Sequence, residues 1–105
     1  MNTNELESLV DCFIKSEHLT ITRYYDTGEK ESTINYRCGE AHGLCKRFWK
    51  NGEPMSIQHL SQGKKHGREQ WYYESGRIRC DIMFDYGNIV SGKYYKENGE
   101  EIQHF

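Results

Sequence analysis

Proline is nearly missing from this chain: Pro54 is the sole one in 105 residues. It follows Gly52 closely, at a strand start, where a missing ladder donor is tolerated. There is no linker, no low-complexity segment and no block of like charge. Long apolar runs are also missing. Nothing approaches the ~18–20 apolar residues of a membrane-spanning helix. The first residues are polar and acidic, unlike a secretory signal, so a cytoplasmic protein is expected. An excess of one charge is lacking too, with 14 Lys plus Arg against 16 Asp plus Glu and a net charge of −2. A nucleic-acid binder usually carries a basic excess or stripe, so no nucleic acid is expected as partner. No Gly-x-Ser-x-Gly, phosphate loop, paired-carboxylate motif or His-Glu-x-x-His is present. Nothing here points to an enzyme, and no cofactor is expected. Apolar residues, glycine included and tyrosine not, make up about 37% of the chain. Typical domains hold about 45–50%. That is thin for a two-layer core and suits one partly wet sheet, with eight tyrosines supplying apolar area and a polar tip.

What is there is a repeat. Gly63-Lys64-Lys65-His66-Gly67 through Trp71-Tyr72-Tyr73-Glu74-Ser75-Gly76 echoes Gly39-Glu40-Ala41-His42-Gly43 through Phe48-Trp49-Lys50-Asn51-Gly52, 24 residues earlier. Gly28, Gly52 and Gly76 keep the same step, and Gly87 follows Gly63 by it. Gly92 and Gly99 continue the ladders with slips of one residue. All ten glycines are used. An internal repeat of about this length outranks any single motif. A glycine at a fixed place in each unit marks a turn needing positive φ. Each unit has two such places. One follows an aromatic pair, as in Tyr24-Tyr25-Asp26-Thr27-Gly28; Asn51-Gly52 and Asn98-Gly99 are strong hairpin signals there. The other is read as a longer loop, Gly-x-x-His-Gly, at 39–43 and 63–67. Between turns lie short runs rich in Ile, Tyr, Phe, Thr and Trp, which suit a pleated surface. Each unit is therefore a hairpin, and the units make an antiparallel meander.

The pattern Gly-x-x-His-Gly-x4-aromatic-aromatic-x-x-Gly resembles the MORN repeat, and more nearly the bacterial variant found in small repeat proteins labelled antitoxin-like. The resemblance covers roughly residues 20–105. Units 39–52 and 63–76 match well and the first is partial. The last departs, with Val90-Ser91-Gly92 replacing His-Gly. The resemblance implies a single sheet of hairpins that binds a protein partner. It also implies, as a second reading, peripheral binding to anionic lipid, for which Lys46, Arg47, Lys64, Lys65, Arg68, Arg77 and Arg79 could supply a basic patch.

Residues 1–18 fall outside the repeat. Leu6, Leu9, Val10, Phe13 and Ile14 recur at helical spacing, and Asn2, Thr3 or Asn4 can cap the start. The spacing predicts a helix over about 4–17 that caps the array. The expected fold is thus mainly β: an N-terminal amphipathic capping helix (1–18), then a repeat sheet (19–105). Strands are expected near 19–25, 30–37, 44–49, 54–60, 68–73, 77–84, 90–95 and 100–104. Period-two alternation assigns Ser32, Ile34, Tyr36, Ser56, Gln58, Leu60, Cys80, Ile82 and Phe84 to a covered face. The last strand would be an edge, protected by Glu100 and Glu101 or pairing with a second copy to make a homodimer.

Cys38, His42 and Cys45 are close in sequence, but a structural zinc site wants four ligands and only three are here. No metal is expected, and the four cysteines read as reduced thiols. His42 and His66 recur within the unit and read first as residues that lock the loop by bonding its backbone. The aromatic pairs, one member to each face, should form two rows. One is core, stabilised by cross-strand aromatic pairs. The other is a candidate binding surface. Tyr25, Trp49, Tyr73 and Tyr95, with His42 and His66, are the candidate partner-binding residues.

Overall fold

A computed structural model describes residues 18–105. Its strands are β1 (His18–Tyr24), β2 (Lys30–Arg37), β3 (Glu40–Phe48), β4 (Pro54–Ser61), β5 (Lys64–Lys65), β6 (Gly67–Tyr72), β7 (Ile78–Asp85), β8 (Asn88–Tyr95) and β9 (Glu101–His104). They form one antiparallel sheet in the order β1-β2-β3-β4-β6-β7-β8-β9, with β5 pairing β4. The expected fold, mainly β with an N-terminal helix ahead of the sheet, is corrected: every element among the described residues is a strand. The helix expected over 4–17 lies outside the described residues.

Two kinds of turn alternate at opposite ends of the sheet. At one end Gly28 N–H donates to Tyr25 O (2.9 Å) and Tyr25 N–H donates to Glu29 O (2.8 Å). Trp49–Gly52–Glu53, Tyr73–Gly76–Arg77 and Lys96–Gly99–Glu100 repeat both bonds. This is the three-residue hairpin loop, a type I turn closed by a glycine of positive φ. The residue before the glycine braces it: Asn51 and Asn98 each accept a backbone N–H two residues on, at 2.9 Å. Just beyond each turn the register shifts by one residue. Glu31, Met55, Arg79 and Ile102 are the extra residues.

At the other end sit three two-residue turns: Cys38-Gly39, Gln62-Gly63 and Tyr86-Gly87. Both residues of each have positive φ, 54° and 81° in the first. That is the mirror-image type I′ turn, whose twist matches the strands it joins. The Gly-x-x-His-Gly loops are accordingly corrected. Only the first glycine of each turns the chain. Gly43 and Gly67 lie within β3 and β6, where the register slips. The turns also stack: Gly63 N–H donates to Ala41 O (3.3 Å) and Gly87 N–H to Lys65 O (2.7 Å).

Every buried side chain among the described residues lies on one face. Ser32, Cys45, Ser56, Glu69, Cys80, Ile82 and Phe84 are all under 9% exposed. Cross-strand pairing puts them together, through Ile34↔Cys45↔Gln58 and Glu69↔Ile82. This is the face assigned by alternation. The opposite face carries Thr33, Lys46, Ile57, Gln70, Asp81 and Lys93, mostly polar, as cross-strand neighbours in one row.

Gly92 differs from the other nine glycines in lacking positive φ. In register it stands opposite Ile82, where the previous unit has Glu69. The Phe105 ring lies over it, so that a Cβ there would meet the ring at 2.6 Å. Gly92 and Phe105 also exchange both backbone bonds, at 2.7 and 2.8 Å. The ring covers the gap that a glycine leaves in a sheet.

Two stability tests follow from this backbone. Gln62 holds positive φ at 53°, a conformation costing most residues about 1–2 kcal/mol and asparagine less. Gln62→Asn should therefore stabilise the protein by about 0.5–1 kcal/mol in urea unfolding. Gly92→Ala should push the Phe105 ring aside and destabilise by about 1 kcal/mol, read by the same titration.

Candidate functional site

The aromatic residues that open each turn tie one unit to the next. Tyr25 Oη donates to Phe48 O (2.5 Å), Trp49 Nε1 to Tyr72 O (3.3 Å) and Tyr73 Oη to Tyr95 O (2.8 Å). Each ring is half-buried. Asn51 Nδ2 adds a bond to Glu74 O (2.9 Å), and Lys50 lies 3.8 Å from Asp26. Three of the candidate residues thus spend their polar tips inside the sheet. Tyr95 stands elsewhere. Lys96, not Tyr95, holds the turn position of Tyr25, Trp49 and Tyr73. The pair Tyr94-Tyr95 is slipped by one residue against the earlier pairs. Tyr95 supplies a carbonyl to the ladder, and its side chain lines a basin of about 470 Å³ on the polar face with Arg68, Asp81, Lys93 and His104. Arg68 grips Asp81 through Nε at 2.9 Å and Nη2 at 2.5 Å. That bond, and then the carboxylate's charge, push the guanidinium above its usual range.

His66 fastens its turn to the next one. Its N–H donates to His59 O (2.9 Å), and its Nδ1 accepts Tyr86 N–H (3.2 Å). The imidazole stacks on the Tyr86 ring at 4.0 Å. The Asp85 carboxylate lies 3.7 Å from the same Nδ1. His42 is half-buried in β3. The candidate residues are therefore not gathered: Tyr25, Trp49 and Tyr73 run along one end of the sheet, and His42 and His66 lie toward the other. Cys38 is disulfide-bonded, which corrects its reading as a reduced thiol, while Cys45 and Cys80 are free and buried.

A groove of about 300 Å³ opens on the covered face, lined by Glu69, Trp71, Arg79, Cys80, Ile82 and Tyr94. Trp71, Cys80 and Tyr94 are direct cross-strand neighbours on β6, β7 and β8. Glu69 and Ile82 form the adjoining row. Arg79 is the extra residue of the register shift before Cys80. The Phe105 ring packs 5.7 Å from Tyr94. The Glu69 carboxylate is 4% exposed. Its Oε1 takes Gln58 Nε2 at 2.6 Å and Lys65 Nζ at 2.9 Å. The Lys65 ammonium rests over the Phe84 ring at 5.1 Å. The Arg79 guanidinium lies 5.8 Å from the Tyr73 ring centroid. Burial, and secondarily the charge of Glu69, push the Cys80 thiol up and keep it protonated at neutral pH.

The groove offers two aromatic walls, an apolar floor, a buried carboxylate and a guanidinium. Such a surface can seat a side chain with an apolar body and a polar tip. Sequence reasoning placed Cys80 and Ile82 on the covered face but did not see the groove. Its walls occupy the position just before the register shift, which is Arg23 and Arg47 in the earlier units. The signal was that Trp71 and Tyr94 replace arginine there.

Comparison with known proteins bears on the repeat. The family model described as MORN repeat variant matches residues 41–61 and 65–86. No curated protein matches the chain. A similar solved structure is a chain of accessory secretory protein 1, 2 and 3 in Streptococcus pneumoniae, at 17% identity and a TM-score of 0.46. The likeness covers 81% of this chain and 16% of that chain.

Lys65→Met would leave the Glu69 carboxylate with Gln58 as its remaining side-chain donor. A loss of about 2 kcal/mol is expected, measured by urea unfolding at neutral pH.

Proposed function

We propose that this chain, with its two segments of MORN-variant repeat, is a non-enzymatic interaction module that binds a protein partner through the groove of its covered face. The observation that carries this is the groove itself: Trp71 and Tyr94 stand on either side of Cys80, with Glu69 and Arg79 beside them. Aromatic residues and arginine are the side chains most often found as interface anchors. Among the described residues no second layer covers the groove. The narrower reading, neutralisation of a toxin protein, rests on the resemblance to antitoxin-like repeat proteins and would make the partner a single stoichiometric protein.

The lipid reading needs its basic residues on one side. The register puts Lys46 opposite Ile57 and Thr33, on the polar face, and Arg47 opposite Ser56 and Ser32, on the other. Arg79 lines the groove. The seven residues proposed as a basic patch are thereby divided between faces.

The test is co-purification from the native host at low salt, with mass spectrometry of what is retained. One stoichiometric protein is expected. Tyr94→Ala and Arg79→Glu should each weaken its binding at least about tenfold, equivalent to 1.4 kcal/mol, with the circular dichroism spectrum unchanged. Binding indifferent to both substitutions, or flotation with anionic vesicles in place of a protein, would overturn the proposal.

A further inference from the structure

The two ends of the repeat array are complementary to one another. Among the described residues, β1 pairs with β2 alone and β9 with β8 alone. Among the described residues each therefore leaves a row of backbone groups unpaired with any strand, a template for another strand. Both edges are apolar for exposed strands. Leu19 and Tyr24 on β1 are 59% and 60% exposed, and Ile102 and Phe105 at the β9 end are 58% and 44%. Four of the eight large hydrophobic side chains exposed in the described residues thus belong to the two edges.

The phase of the repeat says what fits there. β2, β4 and β7 leave the three-residue turns, and each pairs outward with the strand that enters the next such turn. The equivalent partners are Ser32↔Arg47, Ser56↔Trp71 and Cys80↔Tyr94. β9 is the fourth strand of the first kind, and Gln103 holds the place of Ser32, Ser56 and Cys80: it stands opposite Tyr94 as Cys80 stands opposite Trp71. β1 is a strand of the second kind, and Arg23 holds the place of Arg47, Trp71 and Tyr94, just before the register shift.

The backbone is oriented for the same match. Gly92 and Phe105 exchange both N–H···O bonds, at 2.7 and 2.8 Å. Alternation then turns the groups of Gln103 toward β8 and those of His104 outward. Within the described residues the turn ladder has an unused place at each end as well. The carbonyls of Phe48, Tyr72 and Tyr95 each accept a donor from the preceding unit. Tyr24 O holds the same position in the first unit and takes no such donor among the described residues. Lys96 holds the donor position in the last unit of the described residues, and its ammonium lies 3.6 Å from Glu100.

We infer that β9 of one copy pairs antiparallel with β1 of a second copy, in the register Gln103 opposite Arg23, so that the repeat runs on from chain to chain with Lys96 reaching Tyr24 O. The occupant of each edge is a second copy of this chain, and the contact is head-to-tail. Such a contact does not close on itself in a pair, and it lengthens with concentration. β9 has four residues and carries Glu101 beside Glu100. The association is weak for that reason, since a short edge flanked by carboxylates limits pairing. The inference rests on the strand edges and not on the groove, so it can stand if partner capture fails.

Disulfide trapping tests it. Gln103 and Arg23 would form a non-hydrogen-bonded pair, with Cα atoms ~4.5 Å apart, which is within the range a disulfide spans. Under a mild thiol oxidant, an equal mixture of the Arg23→Cys and Gln103→Cys proteins should give cross-linked dimer, and each alone should not. The protein carrying both substitutions should give a ladder of multimers. In sedimentation of the unmodified chain, mass should rise with concentration. His104→Pro removes the outward N–H while keeping the Phe105–Gly92 bonds, and should hold the mass at monomer with circular dichroism unchanged. Cross-linking by Gln103→Cys alone would mean that β9 pairs with its own copy and would overturn the head-to-tail register. A monomer at all concentrations, or a mass unaffected by His104→Pro, would overturn the pairing altogether.

Discussion

Residues 18–105 form a sheet of one layer, which has to hold its register with no second layer among the described residues to lock it. That constraint shapes the rest of this chain. In a packed sandwich, a one-residue slip would expose the core and is forbidden on energetic grounds. Here much of the apolar surface is thin, and the lock comes from the ends of the strands. Tyr25, Trp49 and Tyr73 each reach across a turn to a carbonyl of the next unit. At the opposite end Gly63 and Gly87 donate through the backbone to a carbonyl of the preceding unit. The strands are clamped at both ends, and a slip would break several bonds at once. The aromatic side chains supply the reach because their polar tip stands at the far side of an apolar ring.

The covered face shows what this arrangement permits. Ser56 is fully buried, and its Oγ has no hydrogen-bond partner among the described residues. Glu69 is buried as a carboxylate, held by Gln58 and Lys65. Neither residue is a natural choice for a dry core, since a buried polar group costs free energy unless it is bonded. They persist because the register is fixed elsewhere. Small or polar side chains at these positions do not have to carry the packing of the sheet.

Much of this was legible in the residues. Glycine positions predicted every long strand to within a few residues, because a positive φ at a fixed step is a strong constraint on where the chain turns. The covered face followed from alternation at Cys80, Ile82 and Phe84. The type of turn was less legible. Gly-x-x-His-Gly reads as a loop because two glycines suggest two reversals, yet Gly67 serves a register slip inside the sheet. Tyr94-Tyr95 reads as one more aromatic pair, but the last unit is a residue short and the pair is out of phase, so Tyr95 never had the role of Tyr73. The groove was hidden for a different reason. Repeat reasoning looks for what recurs, and Trp71, Arg79 and Tyr94 matter at a position where the units differ.

That difference is also the link between repeat and function. Residues identical in every unit are explained by the needs of the unit: a turn, a brace, a tie to the next strand. Functional chemistry in such an array has to be written at positions that the scaffold leaves free, and those are where units diverge. The place before the register shift is such a position. It holds Arg23 and Arg47 in two units and Trp71 and Tyr94 in the other two. The arginines and the aromatics thus fall in separate halves of one sheet. The aromatic half, with Arg79 and Glu69 beside it, brings apolar walls and charge together. The other half offers guanidinium groups on the same face. On the binding mode proposed above, a partner lying across the strands would meet both halves in order, and the asymmetry of the array would set its direction.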